Sequence, residues 1–302
     1  MKFSVFASGD LGFSLLEIIY NKAEISFIAT DSKSESIIQF ANEKCIPLFK
    51  GNPRNGKLTE FAKNHQADFA LSINYLFIIE TDTISQFKYA VNFHGSLLPK
   101  YRGRTPHVWA IINGETETGV TAHLIDDECD TGAVILQKAI EITSLDTGQS
   151  LLEKYKKIYP EMVLTIIDQL LNGHLNPKIQ DHDLATYFDK RTPEDGQIDW
   201  NWQKERIFNW VRAQTFPYPG AFALIGGQKI IIDKISYNDL GFDNKMPNGL
   251  ILKKENETII VKTPNGAISL DSVRSNLSIL KAGDILESSS LKYHQVYENR
   301  KF

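Results

Sequence analysis

Cysteine is scarce: the 302 residues hold two, Cys45 and Cys129, too few for a disulfide framework and in keeping with a reducing cytoplasm. Long apolar runs are also missing. No stretch approaches the roughly 18–20 apolar residues of a membrane span, so membrane insertion is not expected. The opening residues, Met1 to Ala7, meet Gly9-Asp10 too soon to read as a secretion signal. Positive charge is not in excess either. Lys and Arg number 33 against 37 Asp and Glu, a formal net charge of −4, which disfavours a long nucleic acid as the main partner. The one dense basic cluster, Lys100-Tyr101-Arg102-Gly103-Arg104, suits a small anion. Ser8-Gly9-Asp10-Leu11-Gly12 follows a strand pattern but lacks the G-x-G-x-x-G spacing, and no His, Cys and carboxylate set has metal-ligand spacing, so neither NAD nor metal is expected. What is present is an ordinary soluble composition, 42% hydrophobic and 23% charged, with length for one large domain or two.

Hydrophobic periodicity divides the chain into two unlike parts. Residues 2–7, 25–29, 68–73, 89–93 and 119–125 read as strands. Residues 11–20, 34–44 and 106–113 between them read as helices, the last opened by Pro106 at its first position. That alternation predicts a Rossmann-like, doubly wound α/β domain with a parallel sheet. A long helix is predicted over 148–172 from the stripe Leu151, Tyr155, Ile158, Met162, Ile166 and Leu170. Thr147 should cap it, Gly173 should follow its end, and Pro160 should kink it. Residues 175–196 read as a polar connector. After a short helix at 204–213 the pattern turns all-β: 221–225, 229–235, 249–253, 258–262 and 267–273 are short strands between Gly-rich turns. They predict a small five- or six-stranded, OB-like barrel. The expected division is a catalytic domain over 1–188, a linker over 189–205 and a C-terminal β domain over 206–302.

Chemistry concentrates in Val91-Asn92-Phe93-His94-Gly95-Ser96-Leu97-Leu98-Pro99-Lys100-Tyr101-Arg102-Gly103. Asn92 and His94 lie two apart at the carboxyl end of a strand, so both project from one face, where open α/β sheets place their sites. An amide beside an imidazole suits carbonyl chemistry, since Asn can donate to a developing oxyanion while His handles a proton. A carboxylate to pair with His94 is available in the acidic loop 126–130, where Asp130 is the candidate. The same residues also read as a strand end, a turn and an ordinary acidic loop. His123 falls inside a strand pattern and reads as structural, and Cys129 has no matching base.

Those residues, together with Ile112-Asn113-Gly114-Glu115-Thr116-Glu117-Thr118-Gly119-Val120-Thr121 and Asp130-Thr131-Gly132-Ala133, occur in the order that resembles the folate-dependent formyltransferase family. The resemblance implies transfer of a formyl group from N10-formyltetrahydrofolate to an amine. It matches Asn92, His94 and Asp130 to the family's catalytic Asn, His and Asp. By the same resemblance the folate would meet Phe77, Ile78 and Ile79, Arg104, and Asp126, Asp127, Glu128 and Cys129 of the acidic loop. Plain core at 77–79 and a solvated loop position for Arg104 are the alternatives.

Several acceptor classes share this catalytic half. The methionyl-tRNA enzyme carries a basic insertion after its second strand, whereas here Thr30-Asp31-Ser32-Lys33-Ser34-Glu35 runs straight on. The run Arg191-Thr192-Pro193-Glu194-Asp195-Gly196, with Val211-Arg212-Ala213 and Pro217-Tyr218-Pro219-Gly220-Ala221-Phe222, looks closer to enzymes acting on nucleotide-linked amino sugars. That reading implies a dTDP- or UDP-linked amino-deoxysugar destined for surface polysaccharide or lipopolysaccharide, in the cytoplasm. A diphosphate and base would then be met by Ser96, Arg102, Arg191, Trp200, Arg212 and Tyr218. Methionyl-tRNA formylation and a non-catalytic folate or sugar-nucleotide sensor are the alternatives. Ile230-Ile231-Ile232 offers surface for a homodimer.

Overall fold

The structure, a computed structural model, describes residues 1–256, 258–275 and 277–289. Its first half alternates as the periodicity predicts: β1 (Lys2–Ala7), α1 (Gly9–Lys22), β2 (Glu24–Thr30), α2 (Glu35–Glu43), β3 (Leu48–Lys50), α3 (Lys57–Asn64), β4 (Phe69–Ile73), α4 (Thr81–Ile84) and β5 (Tyr89–His94). Every residue of β4 is buried, because helices cover both faces of the sheet and leave no polar side to alternate with. β3, α3 and α4 carry too short or too polar a pattern to stand out in the sequence.

After β5 come β6 (Arg102–Gly103), α5 (Pro106–Ile112), β7 (Glu117–Leu124), β8 (Val134–Glu141) and α6 (Gly148–Asn172). The seven-stranded sheet has the order β3-β2-β1-β4-β5-β7-β8. Its first five strands are parallel, but β7 runs antiparallel to β5, and β8 antiparallel to β7. The expected parallel sheet is thus extended at one edge by two antiparallel strands. α5 has seven residues, about 10 Å of helix, too little to carry the chain back to the far end of the sheet. β7 therefore sets out from the end where β5 stops.

α6 keeps its predicted bounds. The Thr147 hydroxyl accepts from Ser150 N, and Gly173 closes the helix at φ +67°. The helix runs uninterrupted through Pro160, whose neighbours Tyr155, Tyr159, Met162 and Val163 are all buried against the sheet.

The connector is more ordered than a polar loop. It contains β9 (Tyr187–Phe188), which pairs with β6 and so ties residues 187–188 to the segment after β5. α7 (Lys204–Ala213) then packs on α5 and on the second sheet. That sheet comprises β10 (Ala221–Ile225), β11 (Gln228–Asn238), β12 (Ile251–Glu255), β13 (Thr258–Thr263) and β14 (Gly266–Val273), in the order β10-β11-β14-β13-β12. Both of its edges meet one segment: Leu224 bridges Glu287, and Leu250 bridges Ile285. The five strands thereby close into a barrel, which removes the exposed edges. Ile230 and Ile232 point into that barrel and are buried, so two of the three isoleucines expected at a dimer surface are core.

Candidate active site

Four polar side chains meet across the β5–β7 seam because of register. Asn92 stands opposite His123 and His94 opposite Thr121, while the intervening Phe93 turns to the other face, where its ring lies 6.1 Å from that of Tyr159. Asn92 Nδ2 is 3.1 Å from His123 Nε2. His123 Nδ1 lies 2.7 Å from the Leu124 carbonyl, which can only accept, so Nδ1 carries the hydrogen and Nε2 of the neutral ring accepts from Asn92. The orientation of the Asn92 amide is thus set by a histidine. His123, which its strand pattern marks as structural, therefore borders the site; its two-residue spacing from Thr121 is the signal in the chain.

His94 is held in the same way. Its Nε2 donates to the Tyr101 carbonyl at 2.7 Å, which turns Nδ1 toward Asp130 Oδ2 at 3.5 Å. Asp130 also faces His123 Nε2, through Oδ1 at 3.6 Å, and Oδ2 accepts from Gly103 N at 2.9 Å. Burial alone would raise its pKa. The attraction of His94 and the Gly103 N–H outweigh burial, and hold this carboxyl far below the usual carboxylate range. Asp130 is therefore an anion between two imidazoles.

The backbone around the site is strained. Tyr101, Thr105 and Asp130 all have left-handed backbones, with φ of 61°, 49° and 59°. Gly132 is required for another reason: a Cβ there would sit 1.9 Å from the Leu124 carbonyl oxygen. Thr121 fixes the loop after His94, donating to Ser96 O at 2.6 Å and accepting from Leu98 N at 3.1 Å.

The residues expected around folate are drawn together beside this seam. Arg104 donates to the Leu76 carbonyl at 2.9 Å, and Thr81 donates to Asp127 at 3.2 Å, so the 75–81 loop, Arg104 and the acidic loop border one another. Phe77 stacks edge-on against Tyr75, Ile79 packs on the core and Ile78 is exposed. Asp126 accepts from Thr131, while Asp127, Glu128 and Cys129 are exposed on the rim. The Cys129 residue is exposed but its sulfur is turned inward to within 3.4 Å of Asp130 Oδ2, and desolvation there, then the Asp130 charge, push the thiol up to about 12, which leaves it a poor nucleophile.

The residues expected at the acceptor separate into two groups. Ser96, Arg102 and Trp200, expected to meet the substrate, are fully buried and present no surface in this structure. Ser96 donates to Lys100 O, Trp200 lies in the core between barrel and helix, and the Arg102 guanidinium is spent on Gln180 and Tyr187. The others lie where the two halves meet. Arg191 stacks on Trp210 and Trp109 at 4.3 and 5.1 Å and donates to Gln214. Arg212 donates to the Thr143 and Asp146 carbonyls, and the Tyr218 hydroxyl is 2.9 Å from His107 Nε2.

Comparison with known proteins agrees with this geometry. The formyl transferase profile matches residues 15–167, more than half of the chain, and the formyl transferase C-terminal domain matches 190–290. The chain belongs to the formyl transferase family. Among solved structures, the sugar 3N-formyl transferase WlaRD, determined with dTDP and 5-N-formyl-THF, has 22% identity and a TM-score of 0.67 over 90% of this chain and 98% of its own. An N-formyltransferase from Helicobacter canadensis, complexed with folinic acid and dTDP-3-aminofucose, has 22% identity and a TM-score of 0.67 over 89% and 97%. A 4-N formyltransferase from Francisella tularensis has 21% identity and a TM-score of 0.66 over 76% and 94%. At this identity the likeness establishes the formyltransferase fold, with its C-terminal barrel. Among the described residues no helix is long and apolar enough to cross a membrane.

Proposed function

We propose that this formyltransferase moves a formyl group from N10-formyltetrahydrofolate to the free amine of a nucleotide-linked amino sugar. The observation that carries the reading is the convergence of Asn92, His94 and Asp130 at the carboxyl end of β5. When an amine attacks a formyl carbon, negative charge gathers on the carbonyl oxygen. Asn92, oriented by His123, offers an amide N–H to that oxygen in a site largely screened from water. His94 handles the proton leaving the amine, and Asp130 holds the ring and stabilises its charged form. Folate fits the rim beside the seam. Exposed Leu76 and Ile78 offer apolar surface to a flat ring, and the acidic loop lies open next to the reacting groups.

Three features favour a sugar nucleotide over tRNA: the Arg191–Gly196 run, the lack of a basic insertion after β2, and near full-length likeness to enzymes whose structures hold dTDP compounds. Arg191, Arg212 and Tyr218 line the junction proposed for the nucleotide. The reading keeps 1–188 as the catalytic unit, 189–205 as the join and 206–302 as the appended barrel, which extends past the described residues. It also places the chain in the cytoplasm, where both substrates are made, acting in surface polysaccharide or lipopolysaccharide synthesis. Self-association through the outer barrel, where Tyr237 and Leu240 are exposed, is part of the reading and is tested by light scattering.

The deciding experiment is formyl transfer from N10-formyltetrahydrofolate to a panel of dTDP- and UDP-linked amino sugars, run beside charged initiator methionyl-tRNA. Turnover on a sugar nucleotide alone is the expected result. Turnover on the tRNA alone would overturn the acceptor assignment and make the barrel an RNA-contacting surface.

A further inference from the structure

Arg102 is a cation with no exposed surface and no carboxylate within bonding distance among its described contacts. Its Nε and Nη2 donate to Gln180 Oε1 at 3.3 and 2.6 Å, Nη1 donates to the Tyr187 hydroxyl, and Nη2 lies 3.3 Å from His182 Nδ1. Burying a charge in this way is costly unless its donors are matched, so the arrangement calls for a physical explanation.

The explanation lies on the other side of Gln180. With Oε1 fixed by Arg102, the amide must point Nε2 the opposite way, and it donates to the carbonyls of Asp130 at 2.9 Å and Gly132 at 2.7 Å. Those two carbonyls flank the turn in which Asp130 takes its left-handed conformation at φ 59°. Arg102 also sits between two backbone contacts to the site: the Tyr101 carbonyl accepts from His94, and Gly103 N donates to Asp130.

We infer that Gln180, oriented by buried Arg102, is a positioning residue that holds the Asp130 turn in its working conformation. The inference rests on the proposed formyl transfer for its activity readout. One cation thereby fixes three things at once, namely the amide under the Asp130 turn, the strand segment that reaches His94, and the N–H that reaches Asp130. Gln180 lies in the connector, remote in sequence from every catalytic motif, and 5% exposed.

Gln180→Glu separates this role from a structural one. A glutamate still accepts from Arg102 and strengthens that contact into an ion pair, but it has no N–H for the two carbonyls. The expected result is an unchanged or raised melting temperature with kcat lowered about 30- to 100-fold, KM for the sugar nucleotide held within about threefold, and the acid limb of kcat moved to higher pH. The limb moves because a second carboxylate beside Asp130 disfavours its charged form. The imidazole resonances of His94 and His123, followed against pH by NMR, should move as well, and that readout does not depend on turnover.

A variant that keeps both kcat and the histidine titrations of the parent protein would overturn the clamp. Loss of kcat with a fallen melting temperature and unmoved histidine titrations would also overturn it, since Gln180 would then only support the fold. A parent protein that turns over no acceptor, while Gln180→Glu still shifts the histidine titrations, would sink the proposed function and leave the clamp standing.

Discussion

Two aspartates with little exposed surface, Asp130 of the proposed active site and Asp146, are both held as anions, in unlike surroundings. Asp146 lies just before α6, and every contact it makes is short. Oδ2 accepts from Thr143 N at 2.7 Å, from the Thr143 hydroxyl at 2.9 Å and from Lys154 Nζ at 2.6 Å, and Oδ1 accepts from Ser150 at 2.9 Å. Burial raises its pKa, but Lys154 and the Thr143 and Ser150 donors outweigh that and lower it to about 2. Asp130 has one short N–H contact, from Gly103, and accepts weakly from the Cys129 thiol at 3.4 Å, while its two imidazoles stand off at 3.5 and 3.6 Å. A saturated carboxylate fixes its neighbours, whereas an under-coordinated one between ionisable rings can respond when a proton moves. The lowered pKa is common to both, so geometry is what separates the scaffold carboxylate from the one proposed for catalysis.

The sharpest test of that contrast is a pair of substitutions. Asp130→Asn keeps an oxygen for Gly103 N but removes the charge that supports His94. Formyl-transfer kcat/KM should fall about a thousandfold, on the scale of losing a principal electrostatic contributor. Asp146→Ala should do the reverse. Activity should stay within about threefold, while denaturant unfolding shows a loss of about 3 kcal/mol, because a backbone N–H, two hydroxyls and an ammonium lose one shared acceptor. Equal effects of the two on activity would erase the distinction.

Most of the architecture was legible because it rests on local patterns. The stripe on α6, its Thr147 cap and Gly173, and the bounds of α7 and β10 follow from spacing and turn chemistry that the chain carries within each segment. Asn92, His94 and Asp130 were legible through strand parity and resemblance. The interior placement of Arg102 was not, because an arginine reads as solvated until Gln180 and Tyr187, about eighty residues away, are seen to absorb its donors. His123 failed for a related reason. Its role depends on β7 pairing antiparallel with β5, and one strand's alternation cannot reveal its neighbour's direction. Long-range register, rather than residue type, is what the sequence concealed.

Acid sharpens the comparison in another region. His107 packs under the Tyr218 hydroxyl, and burial pulls its pKa down to about 4. Its folded-state pKa lies below the unfolded value near 6.5, so between these values the unfolded chain binds more protons and stability rises with pH. Acidifying from pH 7 to pH 5 should therefore cost up to about 2 kcal/mol. Asp130 and Asp146 contribute in the same direction only at lower pH, since carboxylates with depressed pKa lose their stabilisation as pH falls below the ordinary Asp value. His107→Gln should flatten the slope between pH 5 and 7 in urea titrations. An unchanged slope would assign it to another group.

The smallest expected effect falls at the start of α6, where the Asp146 network meets the helix. Thr147 accepts from Ser150 N at 3.1 Å, and the Ser150 hydroxyl bonds back to Thr147 N at 2.9 Å, a reciprocal pair that satisfies two donors. Ser150 also donates to Asp146, so cap and carboxylate share one residue. Thr147→Ala should cost about 1 kcal/mol alone. Combined with Asp146→Ala it should cost less than the sum, because either change already loosens Ser150. The same Thr147→Ala change joined to Asp130→Asn should be additive in stability and leave the activity loss where it was. Additivity in the first pair would separate cap from carboxylate; coupling in the second would mean that the catalytic edge and the helix start are mechanically one unit.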